Sequence, residues 1–368
     1  MVKKSPLYNL QKKLGARFTE FAGFEMPIQY SSIKDEHLTV RKKVGIFDVS
    51  HMSNVWITGE EAEDLISLTT VEDASRIGNK KSQYTAILRE NGTVIDDTIF
   101  MHLDNKYMMI PNAGMDETVT KWLNKKAEEH NICAKAENVS KDYVILAIQG
   151  PKSRETLQKL TKTDLKNVGF FACQHTTIAD VNCIISHTGY TGELGFELQI
   201  TPTTKAEQVF NKILETGEEH NIKPIGLGAR DTLRLEKAFI LAGNEFEGGR
   251  TPLEATMSWT INWDHEFIGK KSLLKQKEKG DYQRLTCLEC IDKGIPRHGC
   301  EIQKNNKKIG TVTSGTLSPC LNKGIAMGYC HPDYREKDTM LEIIIRHKPI
   351  KAKVVKPPFV PKDWAQKN

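Results

Sequence analysis

Two adjacent carboxylates, Asp96 and Asp97, lie in the run Val94-Ile95-Asp96-Asp97-Thr98-Ile99-Phe100, which is rich in β-branched and aromatic residues. Such a run reads as a strand, in which successive side chains face opposite ways. Asp97 then shares a face with Ile95, Ile99 and Met101, and Asp96 shares the other with Val94, Thr98 and Phe100. A carboxylate among apolar neighbours is costly unless a polar group partners it, which marks Asp97 as a candidate functional residue. An ion-paired Asp near a strand end is the structural alternative.

A second candidate is Thr188-Gly189-Tyr190-Thr191-Gly192-Glu193-Leu194-Gly195-Phe196-Glu197. Its glycines allow a turn whose backbone approaches a ligand closely. Tyr190 offers a flat face with a polar tip, and Glu197 sits on the strand that follows. A glycine-rich hairpin with nothing bound is the alternative. The spacing is not the dinucleotide fingerprint, and no helix follows.

A third is Gly226-Leu227-Gly228-Ala229-Arg230-Asp231-Thr232-Leu233-Arg234. Arg230 and Arg234 fall on one helix face. Their forked guanidinium groups suit a carboxylate, whether on a ligand or on an internal Glu. No P-loop, His-Glu-x-x-His or Gly-x-Ser-x-Gly pattern occurs. The 11 histidines, His51 among them, are scattered without a paired nucleophile, and each reads as structural. Cys287 and Cys290 lack the second pair a zinc site needs, so no metal is expected. Leu285, Cys287 and Glu289 should face one side of a strand, and Thr286, Leu288 and Cys290 the other.

The elements around these residues are legible in part. Tyr84–Leu88 and Thr93–Leu103 form a hairpin through Arg89-Glu90-Asn91-Gly92, with Lys106–Ile110 as a further partner. Helical spacing runs through Gly59–Leu68, Asp116–His130, Thr204–Thr216 and Ala229–Leu241, the last capped by Gly243. Strands are expected at Tyr143–Gln149, Cys183–His187, Gly195–Ile200 and over most of 283–355. A charged helix spans Gly269–Gly280 and opens a small all-β module. Strands and helices do not alternate regularly, so the class is α+β with antiparallel sheets.

The chain of 368 residues suits two or three domains and can bury a full core. Hydrophobic residues at 39% and charged residues at 27% exclude wholesale disorder. With 52 Lys+Arg against 47 Asp+Glu the net charge is +5, too small for a nucleic-acid binder. No apolar run is long enough for a membrane helix, and the N-terminus lacks a secretory signal, so a soluble intracellular protein with its eight cysteines as free thiols is expected.

Taken in order, the segments resemble the aminomethyltransferase (T-protein) family of the glycine cleavage system. The matching pieces include Phe21-Ala22-Gly23-Phe24-Glu25-Met26-Pro27, Gly45-Ile46-Phe47-Asp48-Val49-Ser50-His51-Met52, Val94-Ile95-Asp96-Asp97, Asn112-Ala113 and Gln149-Gly150-Pro151. They continue with Gly189-Tyr190-Thr191-Gly192-Glu193, Gly226-Leu227-Gly228-Ala229-Arg230-Asp231, Gly310-Thr311-Val312-Thr313-Ser314-Gly315 and Pro358-Phe359-Val360.

The resemblance implies a three-domain cloverleaf of mostly antiparallel sheets with flanking helices, a C-terminal jelly-roll or barrel-like module and a central folate-binding hole. Its domains would be 1–50 with 139–243, 51–138 with 244–275, and 276–368. It implies transfer of an aminomethyl carbon from the lipoyl arm of H-protein to tetrahydrofolate, with release of ammonia. Asp97 matches the family's essential carboxylate, orienting folate N10 and stabilising positive charge. Glu197 matches the acceptor for the pterin edge, Arg230 an arginine of the folate site, and Tyr190, Met52, Tyr84 and Asn112 pocket residues.

Four departures stand out. Phe24 replaces a usual Trp, Phe170–Phe171 a stretch often carrying Tyr, and Asn244–Arg250 a usual acidic run. Trp364 and Ala365 occupy the tail position that carries a Tyr in some members. The rivals are a folate-dependent demethylase of a small N-methyl or S-methyl compound and a non-catalytic folate-binding factor. Intact Asp97 and the absence of an appended flavin domain favour the transferase. The motifs begin with Pro6-Leu7-Tyr8, which implies a cytoplasmic protein, or a mitochondrial matrix protein in mature form. An acidic carrier would meet basic residues such as Lys3 and Lys4.

Overall fold

A computed structural model describes residues 2–362; Trp364 and Ala365 lie outside the described residues. The chain divides into two compact units. One comprises the residues through Ile87, Asp96–Arg230 and His265–Phe267; the other comprises Leu88–Ile95, Asp231–Asp264 and the chain from Ile268 onward.

In the first unit a six-stranded sheet runs in the order Cys173–Ile178, Val181–Ser186, Gly195–Ile200, Val144–Gln149, Gly45–Asp48, Lys223–Ile225. Neighbours pair antiparallel except the last two strands, which are parallel. Every residue of Val144–Gln149 is buried, because the strand is central and covered on both faces. The helix Ala206–Gly217 packs here through Ala206, Val209, Phe210 and Ile213, the i, i+3, i+4, i+7 stripe of an amphipathic helix.

A five-stranded sheet follows the order Ser82–Leu88, Val94–Leu103, Lys106–Ile110, Val55–Thr58, Lys135–Asn138. The expected hairpin is present. Gly92 takes the left-handed conformation at φ +83°, and Asn91 Oδ1 accepts from the Thr93 N–H and hydroxyl. Asn91 thus acts through its side chain, and Gly92 alone supplies the positive φ.

The second unit contains a closed barrel in the order Arg284–Cys290, Lys323–Cys330, Lys307–Ser318, Glu301–Lys304, Met340–Ile345, Lys348–Val355. All its pairs are antiparallel. The alternation expected of Arg284–Cys290 is realised as two clusters. Leu288 and Cys290 pack with Val312, Ile343 and Val354, whereas Leu285 and Cys287 pack with Leu235, Met327 and Phe359. All eight cysteines are free. The helix Lys270–Lys279 lies between left-handed Gly269 and Gly280.

One helix departs from expectation. It spans Leu227–Glu236 rather than continuing to Leu241. Lys237 and Phe239 both donate main-chain N–H groups to the Arg234 carbonyl, and Ala238 turns left-handed at φ +57°. The Arg234 side chain needs the Phe239 carbonyl and Glu245, which forces the chain to fold back. Gly243 lies inside a short helix, Ala242–Glu245, and is not the cap. Among the described residues no helix is long and apolar enough to cross a membrane.

Candidate active site

Asp97 is 9% exposed and Asp96 0%. The apolar-neighbour reasoning that favoured Asp97 therefore runs the other way. Phe100, on the Asp96 face, is fully buried, while Ile95 and Ile99, on the Asp97 face, are half-buried. Asp97 lies on the more open side of the strand.

Both oxygens of Asp97 accept hydrogen bonds. Tyr84, on the neighbouring strand, donates its hydroxyl to Oδ2 at 2.7 Å, and Asn112 donates Nδ2 to Oδ1 at 2.9 Å. The same amide reaches the Asp97 carbonyl at 2.7 Å and Asp96 Oδ1 at 2.8 Å. The Asn112 main-chain N–H donates to Asp96 Oδ2 at 2.9 Å. Burial, then the charge of Asp97, pushes the Asp96 carboxyl up to about 8. Burial and Asp97 also raise the Tyr84 phenol well above its ordinary value, which keeps it a hydrogen-bond donor at neutral pH.

Glu197, Tyr190 and Arg230 form a second group in the same unit. Glu197 pairs in register with Ala147 and Ser186, and its Oε2 accepts from the Thr188 hydroxyl at 2.5 Å. Arg230 lays its guanidinium over the Tyr190 ring, Cζ 4.8 Å from the centroid. Burial lowers the Arg230 pKa and the charge of Glu197 opposes that. Its Nη1 is buried with no hydrogen-bond partner. Tyr190 is within electrostatic reach of Tyr84, which links the two groups.

The glycine-rich turn answers to its own scaffold at two of its glycines. A Cβ at Gly189 or Gly195 would overlap the Gln149 amide. Gln149 is fully buried, and moving its amide aside would break the hydrogen bonds that hold it. Its Nε2 donates to the Thr188 carbonyl at 3.1 Å, and its Oε1 accepts from the Thr191 hydroxyl at 2.8 Å. Gly192, at φ +72°, meets a backbone requirement instead. Buried Arg41 pins the turn by donating to the Thr191 carbonyl at 2.6 Å and Glu193 at 2.9 Å.

Met52 is positioned through its neighbours: the Ser53 N–H donates to the Pro111 carbonyl, just before Asn112. On its other side His51 is 3% exposed, with an unpartnered Nδ1. Burial, then the Arg230 charge, depresses the His51 imidazole to about 3, so it is neutral at physiological pH. Sequence reasoning passed over His51, Gln149 and the role of Asp96, because their partners are distant in the chain. Gln149 stood within a recognised segment, which was the one available signal.

Phe171 takes φ +57° and Phe170 is 74% exposed. In the second unit, Asn244, Glu247, Gly248 and Arg250 help line a cleft of about 410 Å³. Its basic side chains are already engaged: Arg250 with Glu254, Lys308 with Glu301 and His298 with Glu247.

Residues 7–265 match the family model for the GCVT N-terminal domain, and residues 283–361 that for the glycine cleavage T-protein C-terminal barrel domain. The chain is 42% identical over 359 residues to an aminomethyltransferase of Thermosipho melanesiensis, covering 97% of each chain. It is 43% identical over 366 residues to one from Caldanaerobacter subterraneus subsp. tengcongensis, covering 99% of this chain and 97% of the relative. A crystal structure of glycine cleavage system aminomethyltransferase T from Bartonella henselae superposes with a TM-score of 0.91 at 30% identity, covering 98% of both chains.

Proposed function

Because the chain belongs to the glycine cleavage T-protein family of aminomethyltransferases, we propose that Asp97, held by Tyr84 and Asn112, is the carboxylate of its transfer step, with tetrahydrofolate as acceptor and the lipoyl arm of H-protein as donor. The observation that carries this is Asp97 itself, largely buried with both oxygens fixed by donors at 2.7 and 2.9 Å.

The neighbouring groups suit a pterin. Its edge presents amino and ring N–H donors, which need an acceptor, and Glu197 is an acceptor-only carboxylate. Its carbonyl needs a donor, and Arg230 holds a buried, unpartnered Nη1. The Tyr190 ring gives a flat side to this pocket, and Met52 an adaptable apolar one. Folate, when bound, supplies the nitrogens that receive the one-carbon unit.

The chain's own residues orient, stabilise charge and hold protons. A carboxylate can accept several donors at once through about four lone-pair sites. Asp97 can accept an N–H from the acceptor nitrogen and offset positive charge that develops there. The Tyr84 phenol keeps its proton and donates throughout. Fixing Asp97 beforehand means that little reorganisation is needed when charge appears.

Further parts of this reading have support. The strands of the six-stranded sheet fall within 1–50 and 139–243, those of the five-stranded sheet within 51–138, and the barrel within 276–368, as the three-domain division requires. Eight free thiols suit a reducing, cytoplasmic compartment. Lys3 and Lys4 are exposed and could meet an acidic carrier, although Lys4 also faces Glu25 at 3.5 Å.

The test is methylene-tetrahydrofolate formation from purified protein, tetrahydrofolate and aminomethyl-loaded H-protein, run beside Asp97→Asn. Wild-type turnover should fall about 10²- to 10⁴-fold in the variant, with folate binding retained. Folate binding without wild-type turnover would defeat the reading.

A further inference from the structure

We propose that Asp96 is a positioning residue for the transfer step: by gripping Asn112 at both its main-chain N–H and its side-chain amide, it fixes which end of that amide faces Asp97. The inference rests on the reading of Asp97 given above.

The Asn112 amide has two hydrogens. One goes to Asp96 Oδ1 at 2.8 Å; the other is shared between the Asp97 carbonyl at 2.7 Å and Asp97 Oδ1 at 2.9 Å. The second oxygen of Asp96 takes the Asn112 main-chain N–H at 2.9 Å. Both Asp96 oxygens are thus spent on one residue, which holds it at two points.

This grip decides an orientation. Turned end for end, the amide would press its own carbonyl oxygen against two carboxyl groups. Asp97 would lose the Asn112 donor on Oδ1. Asp96 is what makes the N–H end the favourable one, because its Oδ1 demands a donor at the same spot. Asn112 follows Pro111, just past the strand Lys106–Ile110, where no ladder hydrogen bond constrains it. The two contacts to Asp96 take over that task.

The chemistry of position 96 argues the same way. A fully buried carboxyl beside a second carboxylate is unfavourable, and a neutral side chain would close the strand at lower cost. The raised pKa of Asp96 records that expense. Two oxygens in a fixed fork, each meeting one N–H of Asn112, are what an Asn or an apolar residue of that size does not provide.

The experiment compares wild type, Asp96→Asn, Asn112→Ala and the double variant in the same assay, each checked by thermal melting. Asp96→Asn keeps the shape but turns one acceptor into a donor. Its kcat should fall about tenfold to a hundredfold, as for a misplacement of around an ångström, while KM for tetrahydrofolate stays at the wild-type value. In the double variant kcat should be no lower than in the worse single variant, because Asp96 acts through Asn112. Wild-type kcat in Asp96→Asn, or losses that multiply in the double variant, would overturn the proposal. If Asp96→Asn does not fold, Asp96→Ser takes its place: reduced kcat at wild-type KM supports the grip, and wild-type kcat refutes it. Absence of wild-type turnover removes the parent reading and this one with it, and appears before any variant is compared.

Discussion

Arg230 and Arg234 stand one turn apart in the helix Leu227–Glu236 and belong to different compact units. Arg234 is 1% exposed, and its guanidinium is well supplied with acceptors. Its Nε donates to Asp231 at 2.8 Å, Nη1 to the Phe239 carbonyl at 3.0 Å and Glu245 at 3.3 Å, and Nη2 to Ser314 at 2.7 Å. Glu245 is closed in turn, by Ser314 and the Leu241 N–H. Arg230 instead rests on the Tyr190 ring and leaves a buried Nη1 with no acceptor. A buried polar group with every partner present holds the fold together; an unpartnered one calls for an explanation, and at Arg230 the proposed folate supplies it.

The contrast can be broken at either arginine. Removing Arg234 strands a buried Glu245, so Arg234→Gln should cost about 3–5 kcal/mol of stability. Denaturant unfolding would measure it, and a loss below 1 kcal/mol would show the cluster to be idle. Arg230→Gln should leave unfolding near wild type but weaken tetrahydrofolate binding about tenfold to a hundredfold, the value of a hydrogen bond from a charged group. Titration calorimetry would read this. Equal stability losses at both positions would erase the distinction.

A pH-dependent effect probes the Asp96 carboxyl. Its folded pKa is near 8, against about 3.9 in the unfolded chain, so the folded state binds its proton more tightly. That group's contribution to stability therefore declines as pH rises from about 4 to about 8 and is level beyond. Asn at the position cannot titrate. The Tm of Asp96→Asn relative to wild type should climb between about pH 5 and pH 8. A constant difference would mean that Asp96 is already ionised at the acid end.

Features governed by near neighbours were legible in the sequence. Gly195–Ile200 and Lys106–Ile110 have the expected bounds, and the hairpin turn sits where Asn91-Gly92 places it. The two faces of Arg284–Cys290 followed from alternation alone. What failed was set at a distance. The helix reaching Arg234 ends early because of Glu245 and Ser314, the latter 80 residues on. Asp97 was singled out on a strand pattern that does not reveal which face is open, and the resemblance favoured it on separate grounds. Arg41 reaches Thr191 across 150 residues, and no local period reports such a contact.

The seat of Gln149 against Gly189 and Gly195 has a consequence for how this chain can change over time. The three positions are one unit of variation. Neither glycine can acquire a side chain while Gln149 fills that space, and shortening Gln149 alone leaves a void and frees the Thr188 carbonyl and Thr191 hydroxyl it now binds. Divergence at the turn must therefore pass through paired substitutions, so invariance of these glycines among relatives would measure the bulk of one buried amide and not demand from a bound molecule.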